Sequence, residues 1–429
     1  MRITTRVGRI GWLAGPVGSV GIVLLLACGV GAATAAAAKD AAPASPAGRW
    51  DAIVVLANDA EVPFRFEIAG RGNDLKGSFF DGATRISSQR GSFKDGVVTL
   101  TFEQYAATLE ATLTDGKLEG RYVRAGQRTM VFRATRYVAP PRPTGEVPAI
   151  GGLWKVTGFD TAKNKGEQAW RLIVRQSGPE VSAAVLRIDG DTGTLTGTFK
   201  DGTFVLSHFS GARPSKFELT PAKDGSLDVV LNTKTKLTAV RVTDARAQAA
   251  PEPTDPLQHT RMKDPAERFR FSFNDLNGKA ISEADPRLQG KVLLVNITGS
   301  WCPNCRDEAP FLVNLYKKYR KQGLEIVALS FEETDQLANP TRLRGFIKEY
   351  GIEYTVLLAG DPDQLTEKVP QADNLNSFPT SFLLGRDGKV RAVHAGFPSP
   401  ASGTFYTEAQ RDLAAQVERL LAERPAGTQ

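Results

Sequence analysis

An internal repeat in the first 250 residues is the feature that constrains the fold most. The segments "GRW" and "GSFKDG", which begin at Gly48 and Gly91, return as "GLW" and "GTFKDG" at Gly152 and Gly197. Two further pairs, "DGKL" with "DGSL" and "RATR" with "TAVR", keep the same order, and all four pairs lie 104 to 109 residues apart. Ordered matches at nearly one offset predict a duplicated domain, so both copies must share one fold.

Each copy consists of short alternating segments, such as "FRFEIAG" and "VVTLTF", separated by Asp-Gly and other glycine turns. This pattern predicts a meander of about eight strands, and closure into a small barrel would remove its exposed edges. The opening Gly-x-Trp and the closing Arg resemble lipocalin-like barrels, in which the Arg packs over the Trp. The resemblance implies one such pair in each copy, with Trp50 and Trp154 as core residues rather than ligand contacts.

Proline-rich segments separate the repeats from each other and from the rest of the chain. They are "VAPPRPTGEVP" and "ARAQAAPEPTDP", and proline at this density favours extended, semi-rigid linkers. The predicted units are an export segment at 1–38, the repeats at 47–137 and 150–244, the linkers at 138–149 and 245–262, and a third domain at 263–425.

The third domain alternates apolar strands with helices. "KVLLVNITG" is typical of a buried strand, and the helix that follows it should stop at Gly323. Further strands are predicted at "LEIVALS", "YTVLL", "TSFLLG" and "KVRAVHAG", and a last helix with a capping box of Thr407 and Gln410. The predicted fold class is multidomain: two small all-β, barrel-like antiparallel repeats followed by a layered α/β domain.

The first 38 residues predict an export signal. Three arginines precede an uncharged stretch that contains "GIVLLLAC". "LLAC", which ends at Cys28, resembles the lipobox of bacterial lipoproteins, and this resemblance implies lipidation of Cys28. Cleavage at the alanine-rich site near residues 35–38 and an uncleaved membrane anchor remain alternatives. All three place the rest of the chain outside the cytoplasm, in the cell envelope or periplasm, and two of them attach its N-terminus to the membrane.

The chain has three cysteines, Cys28, Cys302 and Cys305. Disulfides persist in exported compartments, but a disulfide framework would need several pairs, so Cys302 and Cys305 must pair with each other or with another molecule. "WCPNC" follows a predicted buried strand and opens a helix, where free N–H groups and the dipole favour an anion. Because Cys305 lies one helical turn from Cys302, the spacing indicates a redox-active pair.

"NITGSWCPNCRDEAPFL" and "SFPTSFLLGRDGKV" together resemble the TlpA/ResA-like branch of exported thiol-disulfide oxidoreductases, which have the thioredoxin fold. The resemblance covers about residues 271–421. It implies that Cys302 is the exposed nucleophile that forms a mixed disulfide with substrate. It also implies that Cys305 is the buried thiol that resolves this intermediate.

The same resemblance assigns three residues around the cysteine pair. Pro379 in "SFPTSF" matches the proline that has a cis peptide bond and faces the cysteines, although a trans loop proline is the alternative. The backbone of Phe378 would pair with an extended substrate segment. Trp301 is expected to shield the site rather than to act as a catalyst.

Resolution by Cys305 needs a base. Thioredoxins carry an aspartate six residues before the first cysteine, but this chain has Asn296 there, which accepts no proton at neutral pH. Glu308 lies three residues past Cys305 on the same helix face and matches the glutamate of "CxxCxxE" in ResA-like proteins. The resemblance implies that Glu308 is the base, and the alternative is a residue that only complements the helix dipole.

Composition gives weaker constraints. The formal net charge is +7, but three of the arginines belong to the export segment and no block of like charge marks a nucleic-acid surface. His208, His259 and His394 are distant in sequence from the cysteines, and copper-delivery relatives of this fold have three residues between their cysteines. We therefore expect no nucleic-acid partner, no metal and no other cofactor.

The predicted function is reduction of protein disulfides outside the cytoplasm, with a membrane electron donor of the DsbD/CcdA type. One alternative is a thiol peroxidase of the peroxiredoxin type, although "VNITGSWC" lacks the Pro-x-x-x-Thr-x-x-Cys signature of that family. Another is a binding protein in which the repeats dock a partner or ligand. The sequence leaves the substrate protein and the direction of electron flow open.

Overall fold

The structure is a computed structural model that describes residues 45–124, 128–139 and 145–423. The predicted export segment and the predicted lipidation site, Cys28, lie outside the described residues. Among the described helices, none is both long and apolar enough to cross a bilayer.

The first repeat is an antiparallel sheet of nine strands, and its single-turn 3-10 helix covers Glu103–Tyr105. Its strands are β1 (Gly48–Val55), β2 (Glu61–Ala69), β3 (Lys76–Asp81), β4 (Thr84–Ser87), β5 (Arg90–Lys94), β6 (Val97–Phe102), β7 (Ala107–Thr114), β8 (Lys117–Arg124) and β9 (Met130–Arg136). The edge strands β4 and β5 form no ladder within the described range, and the two sides are linked by a bridge between Asp74 and Gly91. Full closure was expected for this copy, and that expectation is wrong. The sheet is a half-barrel, because β4, which pairs with β3, forms no ladder with β5 at the other edge.

The second repeat is a closed barrel, as predicted. Its strands are β10 (Gly152–Thr157), β11 (Trp170–Ser177), β12 (Glu180–Arg187), β13 (Gly190–Asp191), β14 (Leu195–Lys200), β15 (Thr203–His208), β16 (Ser215–Pro221), β17 (Leu227–Leu231) and β18 (Thr235–Arg241). β11 pairs with both β10 and β12, which closes the ring. The two-residue strand β13 adds to one side of β12, outside the ring, and a 3-10 helix covers Ala162–Asn164.

The predicted Trp–Arg pair is present in both copies. The Arg136 guanidinium lies 4.0 Å from the ring centre of Trp50, and the Arg241 guanidinium lies 4.2 Å from that of Trp154. Each buried indole N–H donates to the carbonyl oxygen four residues earlier, at 3.0 and 2.9 Å. Equivalent contacts in both copies are what a duplication of one domain requires.

The third domain has a central mixed sheet of seven strands. These strands are β20 (Ser272–Asp275), β21 (Ala280–Ser282), β22 (Val292–Thr298), β23 (Leu324–Phe331), β24 (Thr355–Gly360), β26 (Thr380–Leu384) and β27 (Val390–Ala395). Their order across the sheet is β21-β20-β24-β23-β22-β26-β27. β22, β23 and β24 are parallel, and β26 and β27 form the predicted antiparallel hairpin. A separate two-stranded sheet pairs β19 (Arg261–Met262) with β25 (Ala372–Asp373).

Helices cover the central sheet, and they confirm the predicted α/β arrangement of the thioredoxin fold. They are α3 (Pro303–Tyr319), α4 (Thr334–Leu337), α5 (Thr341–Tyr350), α6 (Leu365–Lys368) and α7 (Thr404–Ala422), with 3-10 turns at Arg320–Gln322, Pro362–Gln364 and Pro400–Ser402. α3 ends at Tyr319, earlier than predicted, and the 3-10 turn that follows it ends at Gly323, where the chain turns with a left-handed φ of +102°.

Two local predictions are wrong. The linker after the second repeat is not extended throughout, because Asp244 and Asp255 accept N-terminal backbone N–H bonds and start the short helices α1 (Ala245–Ala249) and α2 (Pro256–His259). The predicted capping box of α7 is also absent. The helix begins at Thr404, directly after a 3-10 turn, so the Thr407 hydroxyl donates to the Thr404 carbonyl inside the first turn at 3.0 Å.

Candidate active site

The cysteine pair lies at the N-terminus of α3, as predicted. Cys302 is the N-cap residue, with extended backbone, and Pro303 occupies the first helical position, where its missing N–H costs no hydrogen bond. The backbone N–H of Cys305 donates to Sγ of Cys302 at 3.3 Å. Both thiols are unbonded in this structure. The two sulfur-bearing residues therefore lie one turn apart, as an exchangeable pair requires.

Cys302 is only 3% exposed, so the expectation of an exposed nucleophile is wrong for this structure. Its thiol donates to the carbonyl oxygen of Phe378 at 3.5 Å. The peptide bond between Phe378 and Pro379 is cis, as predicted. The indole N–H of Trp301 donates to the carbonyl of Phe331 at 2.8 Å, and its ring meets Phe378 edge-on at 5.1 Å. The expected neighbours of Cys302 are thus assembled around it.

The inner side of the motif contains a buried carboxyl group. Glu308 is 2% exposed and accepts hydrogen bonds from Asn296 Nδ2 at 2.8 Å and from the Ser381 hydroxyl at 3.2 Å. Burial raises the pKa of Glu308 to about 7, and these two hydrogen bonds oppose the rise. The amide of Asn296 cannot accept the proton of Cys305, but its hydrogen bond fixes the carboxyl group of Glu308 in place.

Cys305 is buried beside this carboxyl group. Burial raises the pKa of the Cys305 thiol well above its ordinary value. The hydrogen bond and charge of Cys302 and the charge of Glu308 raise it further, while a hydrogen bond with Thr298 lowers it. The charge of Glu308 thus contributes to the raised pKa of Cys305, whereas the pKa of Glu308 rises because of burial. A group with a pKa near neutrality is well suited to accept a proton from a reluctant thiol.

A buried ion pair bonds to Ser300, in the loop that joins β22 to α3. Arg342 and Glu332 are both fully buried, with 3.2 Å between Nη2 and Oε2. Glu332 accepts the backbone N–H of Ser300 at 2.8 Å, and Arg342 Nε donates to the Ser300 hydroxyl at 2.9 Å. Sequence analysis missed this network, because isolated charged residues in a predicted strand end and helix carry no signal that they will be buried together.

The outer side of the motif is covered by both repeats, which sequence analysis also missed. In the first repeat, Arg124 donates to the carbonyl of Trp301 at 3.2 Å. In the second repeat, Arg213 donates to the side chain of Asn304 and lies 3.3 Å from the Asp307 carboxylate. No motif in the sequence marks these arginines, because the contacts depend on how separate domains dock.

The three histidines lie in separate places. His208 bonds Thr194 and Ser210 inside the second repeat, and His259 and His394 bond side-chain amides in the third domain. Within the described ranges, no group of three or more His, Cys, Asp or Glu side chains has the arrangement of a metal site.

Residues 262–393 match the model of the AhpC/TSA family. The thiol-disulfide oxidoreductase ResA of Bacillus thuringiensis (strain Al Hakam) is 38% identical over 120 residues, which are 28% of this chain and 62% of that protein. ResA of Bacillus subtilis (strain 168) is 36% identical over 126 residues, 29% of this chain and 64% of that protein. The chain thus spans less than two thirds of the length of these relatives.

Among solved structures, a thiol:disulfide interchange protein of the thioredoxin family from Chlorobium tepidum TLS is 29% identical, with a TM-score of 0.30. The match covers 37% of this chain and 98% of that one. The two ResA proteins confirm the predicted resemblance of the C-terminal domain to the ResA-like proteins.

Proposed function

We propose that this protein is a thiol-disulfide oxidoreductase that reduces protein disulfides through Cys302 and Cys305. One observation carries the proposal. The two unbonded thiols share the first turn of α3, and the buried carboxyl group of Glu308, with a pKa of about 7, lies beside the second thiol. Similarity to ResA over the same segment supports this chemistry.

In the proposed reaction the Cys302 thiolate attacks one sulfur of a substrate disulfide and forms a mixed disulfide. The other substrate sulfur leaves as a thiolate and takes up a proton. Cys305 then gives its proton to Glu308 and attacks Sγ of Cys302, which releases the second substrate thiol. The substrate gains two electrons and two protons, and the enzyme is left with a disulfide between Cys302 and Cys305.

The oxidised pair must be reduced again before another turnover. We propose an exported protein that is recharged by a membrane electron donor of the DsbD/CcdA type, supported by the charged start and apolar run of the N-terminal segment. Cys28 is the proposed lipidation site. Radiolabelled palmitate should be incorporated into the wild type and not into Cys28→Ala, and cleavage mapped near residues 35–38 would overturn lipidation while leaving export intact.

The test of the activity is insulin reduction by the full chain with dithiothreitol as the reductant. Cys302→Ser should abolish it, because no attacking thiol remains. Cys305→Ser, reduced first and then separated from dithiothreitol, should instead accumulate a mixed disulfide with insulin, because only release is blocked. Equal residual turnover in both variants would contradict the assignment, and consumption of hydrogen peroxide without insulin reduction would favour the thiol peroxidase alternative.

A further inference from the structure

The proposed nucleophile is hidden in this structure. Attack on a disulfide requires the thiolate to reach bonding distance of a substrate sulfur, yet Cys302 is almost completely buried. Residues on both sides of it in the motif contact the repeats: Arg124 meets the carbonyl of Trp301, and Arg213 meets Asn304. A protein disulfide therefore cannot reach Cys302 while the repeats are docked.

One segment of the second repeat, residues 189–191, contacts the third domain at several points, and we call it the plug. The carbonyl of Asp189 accepts a hydrogen bond from Asn304 Nδ2 at 2.5 Å, and Gly190 forms a parallel bridge with Phe397. The Asp191 carboxylate accepts three bonds from the third domain, which come from the backbone N–H and hydroxyl of Ser399, both at 2.8 Å, and from the hydroxyl of Ser402 at 2.5 Å.

The plug lies between the cysteine motif and the loop that is bonded to the cis proline. Gly396, next to the bridged Phe397, donates its backbone N–H to the carbonyl of Pro379 at 2.7 Å. An extended chain segment that forms backbone contacts at this position resembles the strand addition expected for a substrate.

The fit around Gly190 leaves no room for a side chain. A Cβ atom added there would overlap the carbonyl oxygen of Phe397 and lie 2.6 Å from Cγ of Asn304. The φ of Gly190 is +125°, which side chains rarely adopt. Close packing at this residue therefore depends on glycine.

The contacts suggest where the molecule separates. The two repeats are joined to each other by an apolar contact, since Phe209 of the second repeat is buried in the core of the first, with ring centres 4.8 Å from Phe64 and 5.2 Å from Phe79. The contacts of the repeats with the cysteine motif are instead hydrogen bonds and ion pairs. Polar interfaces between domains are the ones that commonly open.

Unsatisfied polar atoms also lie at the interface between the repeats and the third domain. Four buried side-chain atoms in the described part of the chain lack a hydrogen-bond partner, and three of them belong to Arg124, Arg213 and Gln104. Arg124 and Arg213 contact the motif, and the backbone carbonyl oxygen of Gln104 accepts from Arg306, the residue that follows the motif. Separation would let water satisfy these atoms, which lowers the cost of opening.

We propose that the plug is an autoinhibitory contact: residues 189–191 occupy the groove that an extended, disulfide-bearing segment of a substrate protein binds, and the repeats must release the third domain before Cys302 reacts. This inference rests on the proposed function for the identity of the substrate. Docking of the plug and binding of substrate are mutually exclusive, so the repeats act as one body that closes the site.

The test measures access to Cys302 directly. In a full chain in which Cys28 and Cys305 are replaced by serine, Cys302 is the only thiol, and its alkylation by N-ethylmaleimide is followed by mass spectrometry. Gly190→Ala should accelerate labelling by about tenfold or more, because reactivity scales with the open fraction. The matched control is Gly202→Ala, at a glycine of the same repeat with φ +84° and nothing within 4 Å of an added Cβ, which should label at the wild-type rate.

A second variant avoids any strain in the repeat. Replacing Ser399 and Ser402 together by alanine removes both hydroxyl donors to Asp191 and leaves the Ser399 N–H in place, and it should also accelerate labelling. Thr407→Ala is its control, because that hydroxyl bonds only within α7 among the described contacts. Circular dichroism confirms that each variant is folded.

Insulin reduction by the same substitutions with both active-site cysteines restored should rise together with labelling. Wild-type labelling rates in Gly190→Ala and in the double serine variant would overturn the proposal. Faster labelling with slower insulin reduction would also overturn it, since the docked repeats would then assist the reaction. If insulin is inert for every variant, the proposed function fails, while the labelling rates still decide whether the plug covers Cys302.

Discussion

Asp307 and Glu308 are neighbours on α3, and they face opposite sides of the cysteine motif. Burial raises the pKa of each carboxyl group to about 7. Asp307 faces the repeats and pairs with Arg213 of the second repeat at 3.3 Å, whereas Glu308 faces inward and is held by Asn296 and Ser381 of its own domain.

This difference separates two kinds of control over one reaction. The partner of Asp307 is present only while the repeats are docked, so the outer side of the motif depends on domain arrangement. The partners of Glu308 belong to the central sheet and stay in place whether or not the repeats are docked. Access therefore governs the first thiol, Cys302, and a fixed buried environment governs the second, Cys305.

The largest expected effect is that of Glu308→Gln on the inner side. The amide keeps the shape of the side chain but cannot accept the proton of Cys305, so the resolving step should slow by about 10²- to 10⁴-fold. Single-turnover reduction of a protein disulfide, quenched in acid and scored for the mixed disulfide, measures this step. Wild-type rates from about pH 5 to about pH 9 would mean that Glu308 only complements the helix dipole.

The same variant should change the pH dependence of stability. The pKa of Glu308 rises from 4.5 to about 7 on folding. The contribution of Glu308 to the free energy of unfolding is therefore fully present below about pH 4.5 and is lost as the pH rises through about 7. The loss amounts to about 3 kcal/mol. Denaturant unfolding of the reduced protein should find Glu308→Gln more stable than the wild type by about that amount at high pH, with little difference at low pH. A pH-independent difference would contradict the buried, ionisable carboxyl group.

A smaller effect is expected for Ser381→Ala. Loss of this hydroxyl removes a hydrogen bond that favours ionised Glu308, so the pKa of Glu308 should rise further. Less carboxylate is then available at neutral pH, and the resolving step should slow by up to about tenfold, with recovery at higher pH. The pH profile of the single-turnover reaction checks this, and an unchanged midpoint would mean that the hydroxyl does not act through Glu308.

The smallest effect is expected for Asp307→Asn, the matched change on the outer side. The pair with Arg213 is partly exposed, so its loss should increase maleimide labelling of Cys302 by about fivefold or less. The resolving step should stay at the wild-type rate, because Asp307 faces away from Cys305. If Asp307→Asn slowed the resolving step as much as Glu308→Gln does, the two carboxyl groups would not have the separate roles assigned to them.

Local patterns were sufficient for much of the fold. Alternation with period two located the strands of both repeats, and the ordered repeat required Trp50 and Trp154 to have equivalent surroundings, which they have. The family resemblance supplied the cis bond at Pro379. The predictions that failed, such as the Thr407 capping box and the closure of the first repeat, concern where elements begin and which edges meet, and local pattern constrains these least.

The sequence by itself determined the duplicated β domain, the α/β domain and the Cys-x-x-Cys pair at a helix N-terminus, since each depends on residues close together in the chain. Only the tertiary structure decided that the plug contacts Asn304 of the cysteine motif and that Asn296 holds Glu308. The docking contacts join residues as far apart as Asp191 and Ser402, 211 positions along the chain. No periodicity or spacing encodes such contacts, because they arise from the shapes and polar groups of surfaces that exist only after each domain has folded.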